Sequence, residues 1–166
     1  MRILFTGGGG AAYEAVYRLW RERYDMHFVD ANPDAFSPEL PRDRCHGGPL
    51  ANDADFASAT AALCQKLKVD MLVPAVDEEL PHAAAVAKIA PGLAVMLPDG
   101  GYVATMLDKL KTAEALRAKE LDAPRTVTFE RISEIGFPCF AKPRQGRGSR
   151  GAQAVRRRRR AQQLSL

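Results

Sequence analysis

The chain has 166 residues, 46% hydrophobic, 27% charged and 7% aromatic. That is the composition of a globular protein able to bury roughly 70% of its unfolded surface without disulfides or metal staples. It excludes wholesale disorder and a coiled coil, and no apolar run approaches the ~20 residues of a membrane span. The net charge of +4 reflects 24 Lys and Arg against 20 Asp and Glu. Five of those arginines form one run, Arg156 to Arg160, and without it the balance is 19 − 20 = −1. The basic character belongs to the tail and not to the body.

Taken in chain order, residues 2–6 form a short apolar strand that runs into four glycines. A helix is predicted over 12–23 and a second strand over 26–30. Residues 31–50 hold four prolines and a Gly-Gly pair and read as mostly loop. Asp53 is placed to cap a helix reaching about residue 68. A strand over 69–76, a helix over 80–89 and a strand over 93–97 follow. Alternating strands and helices specify an α/β fold, a Rossmann-like parallel sheet with crossover helices. Beyond residue 98 the pattern changes to two helices, 102–107 and 109–121. An extended piece, a turn and a strand over 137–142 come next. A loop dense in glycine and arginine then leads to a hairpin return over 152–155.

Ligands of such sheets bind beyond the carboxyl ends of the strands. Gly8, Gly9 and Gly10 lie there, as do Asp30, Asp77 and Glu78. Gly7, Gly9 and Ala12 fit G-x-G-x-x-A, a turn that lets backbone approach an anion at a helix N-terminus. Asp30 stands where a ribose-binding acid would sit in a dinucleotide site. The plainer alternative is a tight turn with a capping acid.

Lys142 ends a strand and is followed by Gly146, Arg147, Gly148, Ser149, Arg150 and Gly151. Glycines permit the dihedrals that turn N–H groups inward as an anion nest, and a lysine adds a point charge for phosphate. It is not a Walker A loop, and the plain alternative is a solvated basic hairpin. Lys109 and Lys111 open a helix, which opposes its dipole unless an anion is near; the alternative is a solvated helix face. Cys45, Cys64 and Cys139 are widely spaced, and His27, His46 and His82 show no ligand spacing. Neither a disulfide framework nor a zinc site is indicated.

Together these pieces resemble the N-terminal part of the ATP-grasp superfamily, in particular the large chain of carbamoyl phosphate synthase. Residues 1–98 resemble the Rossmann-like domain that precedes the grasp. Residues 99–155, from Asp108-Lys109 through Phe137-Pro138-Cys139-Phe140-Ala141-Lys142-Pro143 and the glycine loop, resemble part of the first, small α+β grasp subdomain. Residues 156–166 are a basic tail, expected to be disordered. The resemblance implies that Lys109, Lys142, Gly146, Arg147, Gly148, Ser149 and Gly151 meet the phosphates of ATP. It places Gly8, Gly9, Gly10, Asp30, Asp77 and Glu78 toward the acceptor substrate.

The implied chemistry is ATP-dependent. A carboxylate or bicarbonate becomes an acyl phosphate, and an amine or other nucleophile displaces the phosphate. Mg²⁺ is implied as well, but the subdomain that carries its ligands and the adenine hinge has no counterpart before or after Val155. The expectation is therefore a truncated or frame-shifted relative, inactive alone and cytoplasmic. Its partner would be a small carboxylate or amine, with no membrane association. An open sheet edge after Lys142 would favour homo-oligomers.

Two alternatives remain open at this point. One is a free-standing Rossmann-like module for a nucleotide or nicotinamide dinucleotide, resting on the glycine turn and Asp30. The other is nucleic-acid binding through Arg144, Arg147, Arg150 and the tail, eight arginines in seventeen positions. Few aromatics are interleaved with them, and nucleic acid is not the expected partner.

Overall fold

The computed structural model describes residues 1–146 and 148–156. The chain divides into two compact units, Met1–Gly100 and Gly101–Leu166.

The first unit is built on a five-stranded parallel sheet. Its strands are β1 (Arg2–Thr6), β2 (Asp25–Asp30), β3 (Cys45–Gly47), β4 (Met71–Val73) and β5 (Ala94–Val95). They lie in the order β3-β2-β1-β4-β5, every pair parallel. The helices are α1 (Tyr13–Trp20), α2 (Phe56–Leu67) and α3 (Leu80–Ile89). The α/β Rossmann-like class expected from the alternation is thus the observed one.

β1 is central and buried on both faces. Leu4 packs with Val29, Phe56, Ala61, Cys64, Leu72 and Val86, the layer that α2 and α3 cover. Ile3 and Phe5 point the other way, with Tyr13, Met26, Phe28, Phe36 and Leu40. In that second layer Phe5, Tyr13 and Phe28 form a triangle of rings with centroids 5.4–5.7 Å apart. A strand apolar on both faces is what a covered parallel sheet demands.

The structure corrects several boundaries. Residues 31–50 are mostly loop as expected, but they include a strand that the reading did not place, since Cys45–Gly47 pairs with β2 in the register Phe28↔Cys45, Val29↔His46. Asp53 does not cap α2. Its Oδ2 accepts from the Leu50 amide at 2.8 Å, within the preceding turn, and α2 starts after Asp55, which makes no side-chain cap. α1 is eight residues, shorter at both ends than the predicted 12–23. β4 is three residues, not the eight of 69–76. Lys68, in the left-handed region at φ 54°, ends α2, and only a short strand follows before Pro74.

The second unit contains α4 (Gly100–Met106), α5 (Lys109–Ala118) and an antiparallel hairpin of β6 (Cys139–Ala141) with β7 (Gln153–Val155). The hairpin register is Cys139↔Val155, Phe140↔Ala154, Ala141↔Gln153. Its closing residue, Val155, is fully buried, whereas Phe140 is exposed. No helix among the described residues is long and apolar enough to cross a membrane.

Gly8 is where packing around β1 leaves no space. A Cβ there would lie 2.7 Å from Phe36 Cε1 and 2.8 Å from Phe28 Cβ. Gly8→Ala is expected to destabilise the chain by roughly 1–3 kcal/mol, the cost of overpacking a closed core. Gly100→Ala, with nothing within 4 Å, is expected to be near neutral. Chemical denaturation of both variants checks the contrast.

Candidate functional site

In the first unit the carboxyl ends of β1 and β4 meet, where connections leave the sheet in opposite directions. Gly7, at φ 62°, turns the chain out of β1. The next three amides are all taken up internally. Gly8 N donates to Val29 O at 3.0 Å, Gly9 N to Asp30 Oδ2 at 2.9 Å and Gly10 N to Gly7 O at 2.9 Å. Asp30 Oδ1 accepts from the Asn32 amide at 2.9 Å. Both oxygens of Asp30 thus hold the protein's own backbone. The glycine turn, as it stands, is a closed turn locked by an acid, and these amides do not form an open nest.

Beyond β4 a short 3-10 turn, Asp77–Glu79, leads into α3. Asp77 is exposed and Glu78 half-buried. Glu79, the third acid, is the buried one, and it accepts a hydrogen bond from Thr6 Oγ1. Thr6 Oγ1 in turn accepts from the Ala75 amide at 2.9 Å, and Tyr13 donates its hydroxyl to Thr6 O at 2.7 Å. One threonine therefore ties β1, the segment after β4 and the first turn of α1 together. Burial, then the negative charges of Glu79 and Asp30, push the Tyr13 hydroxyl up to about 12.

In the second unit Asp108 organises the site. It precedes α5 in extended conformation, and its Oδ1 accepts from the Leu110 and Lys111 amides at 3.0 and 3.2 Å. This is an N-cap, and it offsets the unfavourable lysines of the first turn. The same carboxylate receives a fork from Arg144, with Nε at 3.1 Å from Oδ1 and Nη2 on Oδ2. The bond from Arg144, joined by the backbone amides, holds Asp108 below the usual carboxylate range. Lys109 completes the junction. Its amide donates to Arg144 O at 2.9 Å, and its Nζ donates to Gly146 O at 2.7 Å.

The structure thus brings Lys109 to the start of the glycine loop across 37 residues of chain. Lys142 stands exposed just after β6. Gly146, Gly148, Ser149 and Gly151 all have positive φ, from 56° to 100°, as expected of a loop whose peptides face unusual directions. Arg147 and residues 157–166, which include most of the arginine run, lie outside the described residues. Arg144, counted among the arginines of the nucleic-acid alternative, is bound to Asp108.

A match to the ATP-grasp domain family covers residues 106–165. The chain resembles the N-terminal part of the ATP-grasp superfamily. Every residue expected at the ATP phosphates lies inside that match, and the expected acceptor residues lie before it. Among solved structures, N5-carboxyaminoimidazole ribonucleotide synthetase from Thermotoga maritima aligns at TM-score 0.70 and 15% identity, over 98% of this chain and 42% of that one. L-amino acid ligase from Bacillus licheniformis aligns at 0.65 and 18%, over 98% and 40%. The biotin carboxylase domain dimer of Hydrogenobacter thermophilus 2-oxoglutarate carboxylase, in complex with MgADP, ADP and bicarbonate, aligns at 0.65 and 16%, over 98% and 38%. At these identities the likeness is one of fold, and the chain spans about two fifths of each of those proteins. No curated protein matches.

Two further clusters involve none of the residues expected at the phosphates or the acceptor. His27 Nδ1 and His46 Nε2 are 2.9 Å apart with stacked rings, an association across β2 and β3 that sequence spacing does not show. Burial lowers both pKa values. In the second unit a cleft of about 250 Å³ includes Arg117, Arg125, Arg131, Glu114 and Glu134 in its wall. Arg131 is held by Glu134 at 2.5 and 2.8 Å. Among the described residues no group of three or more His, Cys, Asp or Glu could hold a metal ion.

The Tyr13 environment makes a specific titration prediction. Its folded pKa lies above the ordinary 10, so its contribution to stability is complete below pH 10 and is lost as the pH rises toward 12. One of the four tyrosines should form tyrosinate about two pH units late, and Glu79→Gln should bring it earlier. Ultraviolet difference absorbance measures both.

Proposed function

We propose that this chain holds the phosphates of ATP for a carboxylate-activating ligase. The observation that carries the reading is the junction of Lys109 with the glycine loop inside the segment that matches the ATP-grasp family. In the proposed reaction a carboxylate or bicarbonate oxygen attacks the γ-phosphorus of ATP. The bond to the β-phosphate oxygen breaks, ADP leaves and an acyl phosphate results. An amine or other nucleophile then displaces the phosphate.

Lys109 and Lys142 would supply positive charge to the transferred group. Gly146, Gly148, Ser149 and Gly151 would supply backbone N–H groups. Charge neutralisation around the phosphoryl group is the main requirement of this step. The acceptor would lie at the carboxyl ends of the first unit's strands, toward the glycine turn, Asp77 and Glu78. Bicarbonate or a carboxylate is favoured as acceptor because the likeness extends to a structure that contains bicarbonate and MgADP.

The dinucleotide alternative loses its main support, since Asp30 holds the Gly9 and Asn32 amides while the Gly8 and Gly10 amides donate to Val29 O and Gly7 O.

Titration calorimetry with ATP tests the proposal. Lys109→Ala is expected to weaken binding about ten- to a hundredfold, as loss of a charge-assisted hydrogen bond of about 1.5–3 kcal/mol implies. Lys142→Ala, at an exposed position, is expected to weaken it with no loss of folding. Binding untouched by either substitution, or no binding at all, overturns the reading.

A further inference from the structure

The two histidines at the sheet edge meet in a way that accepts one added proton and not two. His27 lies on β2 and His46 on β3, with His27 Nδ1 and His46 Nε2 2.9 Å apart and the ring planes 21° from parallel. At that distance one nitrogen must donate and the other accept. The other nitrogen of His27, Nε2, faces Asp25 Oδ1 at 3.5 Å, and the carboxylate favours a proton there. His27 Nδ1 is then the acceptor and His46 Nε2 the donor. A first added proton goes to His46 Nδ1 and leaves the bond intact. A second can go only to His27 Nδ1. Two N–H groups then face each other at a ring that is 8% exposed.

The surroundings do not relieve that clash. Arg2 on β1, Arg44 just before β3 and Lys66 on α2 are the cations that face the pair. Asp25 is already engaged by both arginines, and Asp43 is exposed. Cys45, beside His46, packs into the layer on the other side of the sheet. Burial first, and then Arg2, hold His27 below its ordinary 6.5. Burial, then His27 and Lys66, do the same to His46, with Asp43 opposing in both cases. The stability contributed by the pair is therefore complete above pH 6.5 and is lost as the pH falls through the lowered folded values.

The strand that carries His46 is short. β3 has three residues at the edge of the sheet, beside β2. Just past it, the Gly48 amide donates to Asp30 O at 3.0 Å. We propose that the His27–His46 bond is a proton-operated clasp, which holds β3 on β2 at neutral pH and releases it when both rings take up protons. Release uncovers the outer edge of β2. It also removes the Gly48 tie from Asp30, the residue whose carboxylate locks the glycine turn. The clasp does not depend on the ATP reading above.

Amide hydrogen exchange on the full chain, read by NMR and corrected for the intrinsic effect of pH, tests the clasp. Between pH 7 and pH 5 histidine is the side chain that ordinarily titrates. Released histidines regain their ordinary proton affinity, so protection at Gly48 is expected to fall about tenfold or more over that interval. Protection at Gly8, whose amide donates to Val29 O at 3.0 Å, should stay. His46→Gln places an amide where Nε2 stands, and that amide can donate or accept without titrating. It is expected to abolish the fall at Gly48. His82→Gln, at an exposed position on α3, should leave the fall unchanged.

The deciding quantity is the fold-change between the two pH values, which is defined even where a variant lowers protection at both. Protection at Gly48 that does not change with pH in the unsubstituted chain overturns the clasp. A fall that survives in His46→Gln, or that His82→Gln abolishes, overturns it too. A fall of equal size at Gly8 is general unfolding and counts against it in the same way.

Discussion

The first unit depends on the double burial of β1. Phe28 and Phe36, packed with Ile3 and Phe5 on one face of the sheet, leave no space for a side chain at Gly8, just past the strand's end. The chain must leave that position on backbone alone, and glycines do this at little steric cost. Once the turn is there, its amides need acceptors in a buried place. Val29 O and the Asp30 carboxylate provide them, and Thr6 joins the same point to Glu79 and Tyr13. The polar residues at this end of the sheet thus follow from an apolar constraint one turn away.

The second unit solves a related problem with a single carboxylate. Asp108 answers orphan amides at the start of α5 and neutralises the arginine at the start of the glycine loop. A helix start and a loop start that lie 36 residues apart in sequence thereby share one acceptor. A charge buried this far is costly unless it is paired and hydrogen-bonded, and here it is both.

Legibility in the sequence followed how local each signal is. β1 and β2 were readable because their apolar runs are self-contained, and the parallel class followed from the alternation. β3 was not, since Cys45–Gly47 has three residues and no alternation, and its strand character comes from the exposed edge of β2. Asp53 is a good cap on paper, but the preceding turn recruits its carboxylate for the Leu50 amide. Asp30 was legible as a significant acid, but a ribose ligand and a loop lock look the same until the amides around it are known. The glycine loop and Lys109 were legible as a set, whereas Arg144 as the mate of Asp108 was not, because nothing in the spacing links them. Glu79 follows Asp77 and Glu78 in the chain, and only burial singles it out from them.

The hairpin that carries the glycine loop closes on itself. Ala141 pairs with Gln153 and Cys139 with Val155, so the ends of the loop are joined by its own strands. The entropy of closing such a loop grows only slowly with length, by about 0.6 kcal/mol for each doubling. Residues added near its tip would therefore leave the register of β6 and β7 almost undisturbed. Loop length in this scaffold is a nearly independent variable, adjustable to the bulk of whatever the loop covers without redesign of the strands beneath it.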